Sequence, residues 1–166
     1  MPQSGTNENI EFDLYNIGDT KEYVQFAIEI ERTLHKMQKE ISNCLEPKKV
    51  ALHIMRVATE FYNADWCGIL DIDTEVGVFT PIWWYDTEFG EMGQTKFNEF
   101  EYSEKYKRWI YCLENHEPVI IPDIEDIKEE YPEEYVLYQR LDAKSVIAVP
   151  FWKGPTGFLV LRNAKR

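Results

Sequence analysis

The side chains able to do chemistry are dispersed, and their spacing excludes more than it supports. Cys44, Cys67 and Cys112 lie far apart, with no CxxC pair. Neighbouring thiols therefore build neither a zinc site nor a redox dithiol, and an odd, scattered set is the pattern of reduced cytoplasmic cysteines. His35, His53 and His116 join no cysteine at zinc-ligand spacing, and no Ser/His/Asp constellation can be assembled. His53 falls in a helix, and His116 falls just past a helix end, where a cation is favourable. The segment WKGPTG, residues 152–157, joins two strands and lacks the helix N-terminus that holds a phosphate. The acidic run Asp123, Glu125, Asp126, Glu129, Glu130, Glu133 and Glu134 lacks the alternating ligands and central glycine of a calcium loop. It reads as a solvated acidic face that favours a helix N-terminus. No catalytic residue and no metal site are assigned.

Aromatic rings are what the chain has in excess of ordinary need. Residues 81–85 read PIWWY, and further rings follow at Tyr106, Trp109, Tyr135 and Tyr138. Two adjacent indoles need two separate places to pack. The balance of 44% hydrophobic and 29% charged residues in 166 is that of one globular domain with a sizeable core. A net charge of −12, from 18 basic and 30 acidic side chains, repels phosphate backbones and anionic lipid, so nucleic-acid binding is not expected. No apolar run reaches membrane-spanning length, and the polar, acidic N-terminus is unlike a signal peptide.

The elements that must position these rings follow from periodicity. Residues 1–18 show no firm pattern and are expected to be a flexible segment, with the domain over 19–166. Asp19-Thr20-Lys21-Glu22 has the form of a capping box, and a long helix over about 20–45 follows. Its Ala27, Ile30, Leu34, Met37, Ile41 and Cys44 form a heptad seam, equally suited to a homodimer and to packing on the chain's own sheet. Pro47 opens a second helix, to about Asn63, with Val50, Ala51, Ile54, Val57, Ala58 and Phe61 as its apolar face. Then come a hairpin (ADWCGILDID and VFTPIWWY), a long loop with Gly90 and Gly93, a short strand in KFNEF and a helix over residues 101–115. PVIIP is a buried strand, residues 123–143 are acidic loop and helix restarting at Pro132, and KSVIAVPF and FLVLRN are the last two strands. Strands as apolar as VIIP and VIAVPF are covered on both faces. The predicted fold class is α+β, an α/β sandwich with a central, mostly antiparallel sheet of five or six strands and helices on both faces. Alternation then sends Trp83 and Trp84 to opposite faces.

KSVIAVPFWKGPTGFLVLRN resembles the C-terminal strand pair of a GAF domain, through Ser145, Val149, Pro150, Gly154, Gly157 and Leu161. EPVIIPDI, ending at Asp123, and NADWCGILDIDTEVG are similar to that family's short strand and first hairpin, and the likeness runs from about residue 30 to the end. The resemblance implies a regulatory sensor module, since such domains bind cyclic nucleotides, bilins, haem or metabolites and many dimerise through flanking helices. It places a ligand pocket between the sheet and the later helices, which here means Trp83 or Trp84, Tyr106, Trp109, Cys112, Tyr135 and Tyr138. An aromatic or heterocyclic small molecule is the expected partner, and no cofactor is named. Leu113 follows Cys112 where bilin-attaching members carry His, and the Asn-Lys and Phe-Asp-Glu signature of cyclic-GMP phosphodiesterases is missing. The expected setting is a cytoplasmic bacterial signalling protein, read as part of a longer chain with a diguanylate cyclase output. Two alternatives stay open. One is a structural dimerisation module whose rings fill the space. The other is a free methionine-(R)-sulfoxide reductase, a family member that would need Cys67 and Cys112 as its thiols.

Overall fold

The computed structural model describes residues 17–73, 75, 77–95, 100–101, 106–151 and 156–165. The chain divides into two compact units, one ending at Lys39 and the other running from Glu40 to Arg166. The expected flexible segment falls outside the described residues, apart from its last two positions.

The described part of the first unit is helical. Helix α1 (Ile17–Ile41) buries none of its described side chains, and Tyr23, Val24, Ile28 and Leu34 are exposed. Of the heptad series, Ala27 and Leu34 are exposed, whereas Ile30, Met37, Ile41 and Cys44 are half-buried. Asp19 lies inside α1 and not at its cap, because the backbone ahead of it is already helical and leaves no free first-turn N–H for a capping box there. The helix also stops short of Leu45, in a turn where the Cys44 N–H donates to the Ile41 carbonyl at 2.9 Å.

The second unit holds the sheet. Helix α2 (Pro47–Tyr62) starts on a proline and ends at Asn63, whose φ of 47° closes the helix in the left-handed region. Seven strands follow among the described residues: β1 (Trp66–Asp73), β2 (Val78–Asp86), β3 (Gly90–Glu91), β4 (Phe100–Glu101), β5 (Val119–Ile121), β6 (Val146–Phe151) and β7 (Gly157–Arg162). The sheet order is β3-β2-β1-β7-β6-β5, with β4 paired to β2 outside that path. Every pair is antiparallel. Helix α3 (Lys107–Glu114), a 3-10 turn (Ile124–Ile127) and helix α4 (Pro132–Arg140) complete it.

Two boundaries differ from the sequence reading. The helix expected from residue 101 starts at Lys107, because Phe100 and Glu101 pair with Val78 and Phe79 instead; the edge of β2 offers its unpaired backbone groups to that segment. Of the expected strand KFNEF only Phe100 is described. The two-residue β3 has no apolar alternation to announce it. It exists because Gly90, at φ 77°, turns the chain back so that Asp86 pairs with Gly90 and Tyr85 with Glu91.

The two faces of the sheet carry separate cores. One contains Trp66, Leu70, Phe79, Trp109, Leu137, Tyr138, Phe158 and Val160 and lies under α3 and α4. The other contains Leu52, Met55, Cys67 and Leu161 and lies under α2. Trp83 packs in the α2 core and Trp84 against the α3–α4 core, so adjacent indoles do go to opposite faces. Counting from Phe79 by alternation puts Trp84 on the wrong side. A bulge corrects the count: Ile69 faces Trp83 while Leu70 faces Pro81, leaving Ile82 as the extra residue. Pro81 sits beside the bulge, where a missing N–H is tolerated.

The β1–β7 pairing depends on one glycine. A Cβ at Gly157 would lie 2.1 Å from the Leu70 carbonyl oxygen, so any side chain forces the two strands apart. Gly157→Ala is expected to destabilise the domain by about 2 kcal/mol, the range of an overpacked core site. Urea-unfolding midpoints measure it, and a midpoint equal to the parent's would contradict the close approach.

Candidate functional site

The α3–α4 face is organised by a buried charge. Glu134, in the first turn of α4, is 0% exposed. Its Oε2 accepts hydrogen bonds from Arg108 Nε at 3.1 Å, Arg108 Nη2 at 2.6 Å and the Tyr138 hydroxyl at 2.9 Å. The Tyr138 hydroxyl in turn accepts from Trp109 Nε1 at 2.8 Å. The Arg108 guanidinium lies 4.0 Å from the centroid of the Tyr131 ring, a cation–π distance. One oxygen thus gathers donors from both helices, while among the described residues Oε1 accepts no hydrogen bond. Burial opposes the Arg108 charge, but the hydrogen bond and charge of Glu134 overrule it and hold the guanidinium above its ordinary pKa. Burial, reinforced by the Glu134 charge, pushes the Tyr138 hydroxyl well above the ordinary tyrosine value.

This corrects the reading of residues 123–134 as a wholly solvated face. Asp123 caps the 3-10 turn, its Oδ1 accepting from the Glu125 N–H at 2.9 Å, and Glu125 accepts from the Tyr135 hydroxyl at 2.7 Å. Glu134 alone of the run turns inward. Its signal was periodicity: Glu134, Leu137, Tyr138 and Leu141 fall on one helical face, and the last three are apolar or aromatic.

The expected site residues lie at different depths. Trp109 is fully buried, edge-on to Phe158 at a centroid distance of 5.0 Å and to Phe79 at 6.0 Å. Tyr138 is buried beside it. These two rings fill part of the space between sheet and helices. Trp84, Tyr106 and Tyr135 are half-buried around the same core, and Trp84 Nε1 donates to the Gly93 carbonyl at 2.9 Å. That bond ties the loop after β3 to the sheet. Trp83 is on the other face. Cys112 is buried at the inner side of α3, with its Sγ 3.8 Å from the Pro118 carbonyl oxygen.

The thiols do not form a pair. Cys67 belongs to the α2 core and Cys112 to the α3–α4 core, on opposite faces of the sheet. Burial pushes the Cys67 thiol up to about 12, and burial, then the Glu117 charge, also raises Cys112. Neither environment generates the thiolate that attacks a sulfoxide. Among the described residues no group of three or more His, Cys, Asp or Glu could hold a metal ion, and no helix is long and apolar enough to cross a membrane.

No protein-family model matches the chain, and no curated protein matches it in sequence. Solved structures do. The GAF domain from a phosphoenolpyruvate-protein phosphotransferase of Coxiella burnetii superposes with a TM-score of 0.57 at 16% identity, over 83% of this chain and 79% of that one. The phycoerythrobilin-bound GAF domain of a cyanobacterial phytochrome gives 0.61 at 13% identity, over 82% and 81%. The chain has the GAF fold. The free methionine-R-sulfoxide reductase of Neisseria meningitidis, solved with its substrate, shares the fold too, with a TM-score of 0.55 at 13% identity over 78% and 70%. A common scaffold therefore spans a bilin-bound domain and a reductase, and the site must separate such uses.

The cysteines provide that separation by measurement. A raised folded-state pKa keeps a thiol protonated, and unreactive, until the pH climbs through it. At pH 8 Cys44, half-buried just after α1 while Cys67 and Cys112 are buried, is expected to take up maleimide first. Cys67 is expected to react only as the domain unfolds, and stability to fall as pH rises from about 9 toward 12, where the unfolded state loses the Cys67 proton and the folded state keeps it. Mass spectrometry of labelled peptides reads the order. Fast labelling of Cys67 in the native protein would contradict this environment.

Proposed function

We propose that this GAF-type domain is a non-catalytic sensory module that binds a small aromatic or heterocyclic molecule. The observation that carries the reading is the juxtaposition on one face of the sheet of the half-buried rings Trp84, Tyr106 and Tyr135 with the network that joins half-buried Arg108 to buried Glu134 and Tyr138. Rings of this kind grip planar ligands, and a few convergent polar groups orient them. The network joins α3 to α4, so a ligand that shifts one helix alters the other. Such a ligand changes the domain only by favouring one arrangement over another. The phytochrome neighbour is described with a bound phycoerythrobilin, which supports small-molecule binding as a use of this fold.

The wider setting is part of the same proposal. The exposed apolar residues of α1, Tyr23, Val24, Ile28 and Leu34, support a homodimer through this helix in a cytoplasmic bacterial signalling protein, with a diguanylate cyclase as the output the family resemblance suggests. The reductase alternative is disfavoured by thiols on opposite faces. The structural-module alternative draws its support from Trp109 and Tyr138, which fill part of the region.

Native mass spectrometry of the freshly purified protein, followed by a melting screen with purines, indoles and flavins, tests the proposal. The expected result is a dimer that carries a co-purified mass or gains melting temperature with one of these classes, and that Leu34→Glu converts to monomer. A dimer that carries nothing and responds to none of them would leave the structural module as the better account.

A further inference from the structure

Glu134 is satisfied on one side only. The residue is fully buried, and the three donors that reach its carboxylate, Arg108 Nε, Arg108 Nη2 and the Tyr138 hydroxyl, all go to Oε2. Oε1 is closed off from solvent and accepts no hydrogen bond among the described residues. A carboxylate offers about four acceptor positions. Keeping one of its oxygens dry and without a donor is costly, and an N–H brought to it removes the cost. The neighbouring hydroxyl cannot serve both oxygens. Its proton is on Oε2, and it already accepts from Trp109 Nε1 at 2.8 Å.

Charge and shape narrow the donor. The Arg108 guanidinium, 2.6 Å from Oε2, already balances the Glu134 charge. The pair as a whole draws neither cation nor anion, and a neutral N–H suits it. The rings packed against the same core, Trp84, Tyr106 and Tyr135, are half-buried, and planar heterocycles stack on rings of this kind. Oε1 is out of reach of water in this arrangement, so a donor arrives only as a side chain around it turns aside. A ligand that bonds Oε1 therefore binds the opened arrangement better than the closed one, which is the differential affinity a sensor needs.

We propose that Glu134 Oε1 is the specificity determinant of this face, accepting a hydrogen bond from an N–H of a neutral planar heterocycle. The inference rests on the ligand-binding reading above and selects, within it, ligands that donate. The probes are two matched pairs: indole with benzofuran, and 9-methyladenine with 6,9-dimethylpurine. The second member of each pair keeps the shape and lacks the N–H. Each is titrated against the whole chain while NMR follows the indole N–H of Trp109, which is linked to Glu134 through the Tyr138 hydroxyl. The expected result is a saturable shift with the N–H member of at least one pair, at an affinity about tenfold or more above its match, the worth of one hydrogen bond to a charged group. Glu134→Gln keeps an oxygen for Arg108 and Tyr138 and turns an N–H toward the ligand, so it is expected to abolish that preference. If this variant does not fold, the matched pairs on the parent protein decide alone. Equal affinity within the pairs, or a preference that survives in folded Glu134→Gln, overturns the proposal and leaves the ligand-binding reading standing. Saturation by none of the four also overturns it, and the melting screen then shows whether a ligand of another class sustains the wider reading.

Discussion

The α3–α4 half of the domain depends on a carboxylate held out of water. Removing an ion from solvent costs several kcal/mol even after relaxation, on the order of a domain's whole net stability. Glu134 recovers that cost through Arg108 Nε and Nη2 and the Tyr138 hydroxyl, all within 3.1 Å of one oxygen. Those donors come from both helices, so the carboxylate sets their register. The hydroxyl then accepts from Trp109 Nε1 at 2.8 Å, which fixes that indole against Phe158 and Phe79. Leu137, Tyr138 and Leu141 bury the inner face of α4, and the charge adds a directional contact to α3. A bonded charge admits one arrangement.

On the proposed reading, this constraint also shapes which ligands the face would respond to. A ligand that merely fills a gap among rings gains dispersion contact and little direction. One that competes for, or adds to, the donors around Glu134 acts on both helices together, because Arg108 and Tyr138 share the same oxygen. The GAF fold supplies the sheet that keeps this face rigid. Gly157 lets β1 and β7 close, and the bulge at Ile82 brings Trp84 to the α3–α4 side.

Much of this architecture could be read from residue order. Apolar strands such as VIAVPF announced coverage on both faces, Pro47 and Asn63 bracketed α2 as helix-start and helix-stop chemistry require, and adjacent Trp83 and Trp84 separated as strand alternation demands. The failures share a physical cause. β3 is a two-residue ribbon whose existence rests on a partner strand, and local pattern carries no record of a partner; β4 was expected in KFNEF, and its described part is Phe100 with Glu101 just beyond. The Asp19–Glu22 motif was a local option overridden by helix extending past it. Glu134 was hidden by its neighbours: six carboxylates around it are what a solvated face looks like, and only Arg108, 26 residues away, makes an inward turn affordable. Trp109 and Tyr138 were legible as rings on the α3–α4 side of the sheet, with filling of that space as one open reading; their depth was not legible, because it depends on Phe79 and Phe158 from distant strands.

The most direct measurement is a double-mutant cycle between Arg108 and Glu134 by urea unfolding, using Arg108→Met, Glu134→Leu and the pair. The account predicts that each single change destabilises by about 3 kcal/mol, because each strands the other charge, and that the double variant recovers most of the loss, with a coupling of about 2 kcal/mol or more. Single effects that simply add, within about 0.5 kcal/mol, would contradict the claim that this pair organises the α3–α4 face.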